Sequence, residues 1–270
     1  MFNGIAFFQS ENLDIDVINF IAATNISDTT IINGLQTFVV GMKNNNLWIK
    51  MKTIYPFLGG TSSTHKYNLI NPNDSDAAYR LLFSGTFTHS MTGVYPNGGR
   101  AGENTEAKTH LNVTDLSQSD LHLSVYSRTD GGPSINAAGP VEIGVSSSQA
   151  KFYLATCYSN SSNNYITNLN NSGLNNKSYG NGVGKGFYIS TRISSANYRI
   201  FRNGVIGATY SIASQSPTSD DIYLFKNRSI ERSNKELCFA SLGNGLTNDE
   251  AVTFSDLVNT FQNTLSRNVY

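Results

Sequence analysis

The sequence predicts a mainly β protein: an antiparallel sandwich of two sheets, with an N-terminal helical segment and a C-terminal helix. Three observations carry this. The apolar period is helical at 31–42, two-residue over much of the middle, and helical again at 254–265. The alternating runs are short, with one wet and one dry face, which fits antiparallel pairing better than a parallel sheet under helices. Asn203-Gly204 lies between two such runs, a strong signal for a tight hairpin.

Element by element, Asp14 precedes a short apolar helix over Ile15–Ala23. Ser27 and Asp28 offer an N-cap for a second helix, whose inner face is Ile31, Leu35, Phe38, Val39 and Met42. Asn44-Asn45-Asn46 ends it, and Trp48 is expected to pack before the first strand. Strands are expected at 49–57, 79–89, 108–113, 121–126, 141–145, 150–158, 187–193, 197–203, 205–210, 221–225 and 236–242. Thr247 and Glu250 form a capping box for the last helix. Its stripe is Phe254, Leu257, Val258, Phe261 and Leu265, with Arg267 near the negative end of the helix dipole. Polar excursions at 58–77, 90–107, 129–139 and 159–184 read as loops; 18 of the 26 residues in the last are Asn, Ser or Gly. The organisation expected is 1–46 helical attachment segment, 47–245 sandwich and 246–270 terminal helix.

Nineteen basic residues balance nineteen acidic ones, and charged residues are only 14% of the chain. Polarity comes from 33 Asn, 32 Ser and 23 Thr. Nucleic acid, which needs clustered Lys and Arg, is an unsuitable partner. No apolar run reaches the roughly 20 residues of a membrane span. The first ten residues show no basic stretch followed by an apolar one, so a secretory leader is not expected. Cys157 and Cys238 sit in apolar strand-like runs and read as buried thiols, a single bridge being the alternative.

Catalytic signals are weak, and a non-enzyme is expected. His65, His89, His110 and His122 have no metal-ligand spacing. Gly180–Gly186 fits no phosphate-loop pattern. Glu103, Glu106 and Glu142 are scattered, not paired across a sugar site. Asn71, Asn73, Asp74 and Asp76 gather the oxygen ligands that calcium prefers, without the glycine and terminal glutamate of an EF-hand. Tyr95 with Asn97, and Tyr165 or Tyr179 in the Asn-rich stretch, combine aromatic and amide groups suited to a sugar.

The order of elements resembles a known group. Leu47-Trp48-Ile49-Lys50, Ile54-Tyr55-Pro56-Phe57, the Asn203-Gly204 hairpin and Phe239-Ala240-Ser241-Leu242-Gly243 leading into Leu246–Glu250 are similar to the concanavalin A-like, laminin-G-like jelly-roll modules of tailed-bacteriophage virion proteins. The stretch from Thr64 to Leu81 also resembles phage structural proteins. The resemblance implies a capsid decoration, head fibre or tail-fibre module assembled in the host cytoplasm and displayed on the virion. It implies other virion proteins as partners and a homo-oligomer, with a trimer expected. It gives no catalytic, sugar or metal residue. A lectin-like host-glycan adhesin and a polysaccharide depolymerase are the alternatives.

Overall fold

Short polar side chains start the three long helices. Asp14 accepts from the Asp16 N–H and begins α1 (Ile15–Thr24). Asp28, rather than Ser27, caps α2 (Thr29–Asn44), accepting from Thr30 and Ile31. The predicted Thr247–Glu250 capping box closes reciprocally at the start of the C-terminal helix, Asn248–Thr264. The computed structural model describes residues 13–97, 105–130, 140–145, 152–158, 164–171, 175–180, 183–227 and 231–270.

After α2 come β1 (Met51–Tyr55), the one-turn α3 (Ser62–His65), β2 (Leu82–Ser84), β3 (Phe87–Ser90), β4 (Gly93–Pro96), β5 (Glu106–Asn112) and β6 (Leu121–Ser127). Then follow β7 (Ile143–Val145), β8 (Phe152–Ala155), β9 (Asn164–Leu169), β10 (Asn175–Ser178), β11 (Gly186–Arg192), β12 (Tyr198–Arg202) and β13 (Val205–Tyr210). The last are β14 (Asp221–Leu224), β15 (Lys226–Asn227), β16 (Glu231–Arg232), β17 (Leu237–Gly243) and the C-terminal α4 (Asn248–Thr264).

Two antiparallel sheets form the sandwich. One runs β10-β9-β8-β7-β14-β5-β2; the other runs β13-β12-β11-β6-β17-β4-β3, with β1 also paired to β17. Asn203 and Gly204 both have positive φ, at 53° and 77°, as the predicted hairpin between β12 and β13 requires.

Among the described residues, two large cores and a smaller cluster of Val141, Tyr153, Ala155 and Ile166 carry the packing. Leu123, Val125, Leu154, Ile200, Ile222 and Leu242 meet between the sheets. On the other face of the eight-stranded sheet, Tyr126, Phe187, Ile189 and Phe239 meet Leu35, Phe38, Phe254 and Val258 of the helices. Ring centroids there lie 5.0 Å apart for Phe38–Phe261 and 5.4 Å for Phe187–Phe254. The expected 1–46 segment therefore shares a core with the sandwich through Val17, Phe20 and the inner face of α2.

Some sequence expectations change. The 79–89 strand is two strands, because Gly85 (φ 83°) turns the chain from the edge of one sheet to the edge of the other. The 90–107 excursion contains β4, and 159–184 contains β9 and β10. In 159–184 the amide-rich composition concealed pairing: Asn168, Asn170 and Asn171 are buried beside Tyr165 and Leu169. Glu103, 131–139, and 159–163, 172–174 and 181–182 of the Asn-rich stretch lie outside the described residues. Arg267 does not cap a dipole. Its buried guanidinium donates to Gln262 Oε1 and to the Pro56 and Phe57 carbonyls, fastening the C-terminus to the end of β1. Cys157 and Cys238 are both buried and are not bridged to each other.

The α2–α4 contact is close at Gly41, where the end of the half-buried Leu257 side chain fills the space a Cβ would take. A Cβ on Gly41 would lie 2.6 Å from Leu257 Cδ2. Gly41→Val should therefore push the helices apart and lower stability by about 1–3 kcal/mol in urea unfolding, whereas Thr37→Val nearby should cost little.

Candidate functional site

β3 and β4 form a hairpin at the edge of the eight-stranded sheet, paired Phe87–Pro96, Thr88–Tyr95 and His89–Val94. Side chains alternate across it. Phe87, His89 and Val94 turn inward, Val94 into the inter-sheet core and Phe87 to 5.3 Å from Phe225. Tyr95 and Thr88 share the opposite face, with Tyr95 40% exposed. Asn97 joins them: its Oδ1 accepts from the Thr88 hydroxyl at 2.9 Å, while its N–H continues the pairing to the Thr86 carbonyl. That bond fixes the amide with its N–H donors free to turn outward. An exposed ring beside a hydroxyl and an amide is an apolar platform with polar neighbours, suited to the face and hydroxyls of a sugar. Tyr95 and Asn97 were legible in the sequence. Thr88 was not, because it comes from the partner strand.

The other two tyrosines are structural. Tyr165 is wholly buried, its hydroxyl 2.5 Å from Ser190 Oγ, and burial pushes its pKa well above the ordinary value. Tyr179 stacks on Tyr165, lies under the Arg202 guanidinium at 5.2 Å, and packs against Gly207. Burial raises its pKa to about 12. Neither joins the hairpin face.

The four expected calcium ligands do not converge on a vacant centre. Asp74 accepts from Lys66 at 2.5 Å and from Arg80 at 3.2 Å, while Asp76 pairs with Arg80 and lies 3.3 Å from His110. Asn71 Oδ1 accepts from Asn73 Nδ2. The Lys66 hydrogen bond, chiefly, holds the Asp74 carboxyl below its ordinary range. Among the described residues, no group of three or more His, Cys, Asp or Glu is placed to hold a metal. The backbone N–H groups of Gly184 and Lys185, in the glycine-rich stretch, are directed to Asp130 Oδ1 at 3.0 and 2.9 Å.

One titratable group was underrated in the sequence. Glu142 is fully buried; its carboxylate accepts from the Thr156 N–H at 2.6 Å and the Ser233 hydroxyl at 3.1 Å. Desolvation outweighs these bonds and nearby Lys235, raising the pKa from 4.5 to about 7. The electrostatic neighbours that set this value include no second carboxylate. Glu142 thus lacks both the exposure and the partner of a glycoside-cleaving pair.

No protein-family model matches the sequence, and a search of curated proteins gives no match. Solved structures do share the fold. The binding domain of botulinum neurotoxin DC, in complex with rat synaptotagmin II, aligns with TM-score 0.54 and 12% identity over 78% of this chain and 52% of its own. Trypanosoma rangeli sialidase in complex with sialic acid aligns with TM-score 0.53 and 10% identity, over 75% of this chain and 32% of its own. A botulinum neurotoxin type C structure, of a protein whose route into cells depends on two ganglioside molecules, gives TM-score 0.53 and 14% identity, over 79% and 53%. This chain thus spans about a third to a half of these proteins. At such identities the likeness is one of fold: a jelly-roll, lectin-like β-sandwich.

Because its folded pKa is raised, Glu142 supports stability fully below about pH 4.5, and that support is lost as pH rises through about 7. Glu142→Gln keeps a similar shape without titrating. Between about pH 4.5 and pH 8, its unfolding free energy should improve relative to wild type by roughly 1–3 kcal/mol, measured by urea titration at each pH. A constant difference across that range would exclude a raised Glu142 pKa.

Proposed function

We propose that this chain is a non-enzymatic, outward-facing module of a bacteriophage particle whose lectin-like sandwich contacts host-surface glycan through the β3–β4 hairpin. The observation that carries the glycan contact is the exposed Tyr95 ring beside the hydrogen-bonded Thr88–Asn97 pair. Two fold neighbours support it as analogy, one a sialidase in complex with sialic acid and the other a toxin that uses gangliosides. The virion role is supported by the phage-like stretches in the sequence and by the neutral, amide-rich composition. Its partners would be other virion proteins and further copies of the chain, a trimer being the expected assembly. A depolymerase is the less favoured reading, since Glu142 is sealed, and Glu106, Glu236 and Glu250 are each paired with a cation.

A glycan array probed with the purified protein tests the contact directly. Wild type should bind a restricted set of glycans, and Tyr95→Ala should weaken that binding about tenfold or more without changing the thermal midpoint. Absence of any glycan signal from the wild type, or equal binding by the variant, would remove this face from consideration. Release of reducing sugar from host polysaccharide would instead favour the depolymerase.

A further inference from the structure

Behind the proposed contact face, two histidines meet. His65 ends α3, and His89 lies on the inward face of β3; their Nδ1 atoms are 3.0 Å apart. The Gly60 N–H donates to His65 Nε2 at 3.2 Å. That donor fixes the protons in sequence. His65 Nε2 must be bare, so the neutral ring carries its proton on Nδ1 and donates it to His89 Nδ1. The His89 proton then resides on Nε2.

One extra proton cannot be accommodated. Protonating His89 on Nδ1 sets two N–H groups face to face. Moving the His65 proton to Nε2 relieves that clash but creates another, with the Gly60 N–H. A metal bridging both Nδ1 atoms meets the same obstacle, because it also requires His65 to carry its proton on Nε2.

The surroundings give a charged ring little help. Phe57 packs on His65 at 5.8 Å between centroids, and Phe83 and Phe87 pack on His89 at 4.8 and 6.0 Å. The charged group acting on His65 is Arg267, also a cation. Lys66, next in the chain, is taken by Asp74. At the hairpin turn, Glu236 accepts from the Thr92 hydroxyl at 2.6 Å and is paired with Arg128. Burial lowers His65 to about 3 and depresses His89 as well.

We infer that Gly60, His65 and His89 form a clasp that closes only when both rings are neutral, holding the β3–β4 hairpin at neutral pH and releasing it in acid. Gly60 also abuts Met91 at the hairpin turn, where an added Cβ would lie 3.1 Å from the Met91 sulfur. The clasp therefore joins the 59–65 segment to the whole hairpin. Regulation of glycan contact by acid rests on the proposed role of Tyr95 and Asn97; the clasp itself does not.

The test combines nitrogen-15 imidazole spectra with amide hydrogen exchange, without any sugar, so a failed glycan reading leaves its outcome intact. At neutral pH the spectra should show His65 protonated on Nδ1 and His89 on Nε2. Between about pH 7 and pH 4, protection factors of amides in 87–96 should fall about tenfold or more while those of β6 and β11 hold. His89→Gln, which can accept from His65 and does not titrate, should make the local fall smaller, since only His65 is then left to take up a proton on opening. Both rings protonated on Nε2 at neutral pH would overturn the clasp. So would hairpin protection unchanged down to about pH 4, or a loss shared equally with β6 and β11.

Discussion

The centre of the eight-stranded sheet is buried on both faces, and the rest of the structure follows from that constraint. All seven residues of each of β6, β11 and β17 are buried. A sandwich satisfies one face only. On the other face, leaving Phe187, Ile189 and Phe239 in water would forfeit about 1.5–3 kcal/mol for each side chain. The helices are consequently a third layer, and 15–44 belongs to the fold as fully as any strand. His122, trapped between the layers, is matched on both ring nitrogens. His122 donates from Nδ1 to the Asn244 carbonyl at 2.6 Å and faces Ser241 Oγ through Nε2 at 3.0 Å, and burial lowers its pKa to about 4.

This layering limits where a surface function can reside. The helices occupy the middle of the outer face of the eight-stranded sheet, leaving the hairpin at its edge. On the far side of the sandwich, Arg202 stacks on Tyr179 and Tyr188, and the Tyr210 hydroxyl donates to the Asn176 carbonyl, tying β13 to β10. At the β2–β3 side, a single chain corner at Gly85 joins the sheets. Aromatic rings from both edges fill this corner, with Phe83 on β2 and Phe87 on β3 only 5.1 Å apart. Rigid packing behind the hairpin and exposed polar groups before it are what a contact face needs.

The sequence made the architecture legible wherever a period was long enough to register. The capping box, the α2 stripe and the Asn203-Gly204 turn each involve residues close in the chain, so local chemistry determined them. The errors arose where partners are distant. Arg267 reads as a dipole partner until the chain brings the Pro56 and Phe57 carbonyls to it across more than 200 positions. Asp74 and Asp76 are a different case: Lys66 and Arg80 are near in the chain, but how the intervening turn folds them onto the carboxylates is not written in the spacing. Tyr95 and Asn97 are two residues apart and share a face by strand geometry, whereas Tyr165 and Tyr179 looked exposed only because asparagines surround them.

Those asparagines show why composition alone misled. An amide side chain carries the same donor and acceptor as a peptide unit, so it can supply a strand connection where the backbone turns away. Asn68 is buried and has all four hydrogen-bonding positions used: Oδ1 accepts from Ile54 and Ile70, and Nδ2 donates to the Lys52 and Ala78 carbonyls. It joins β1 to the turn after α3 without a strand between them. Asn203 Oδ1 receives the Phe187 N–H, and Asn168 Oδ1 accepts from both Asn171 and Asn175 across the gap between β9 and β10. A charged side chain at these places would incur a far larger desolvation cost. Low charge and abundant Asn thus describe the interior of this protein as well as its surface, and short, irregular strands can pair within it without exposing unsatisfied backbone.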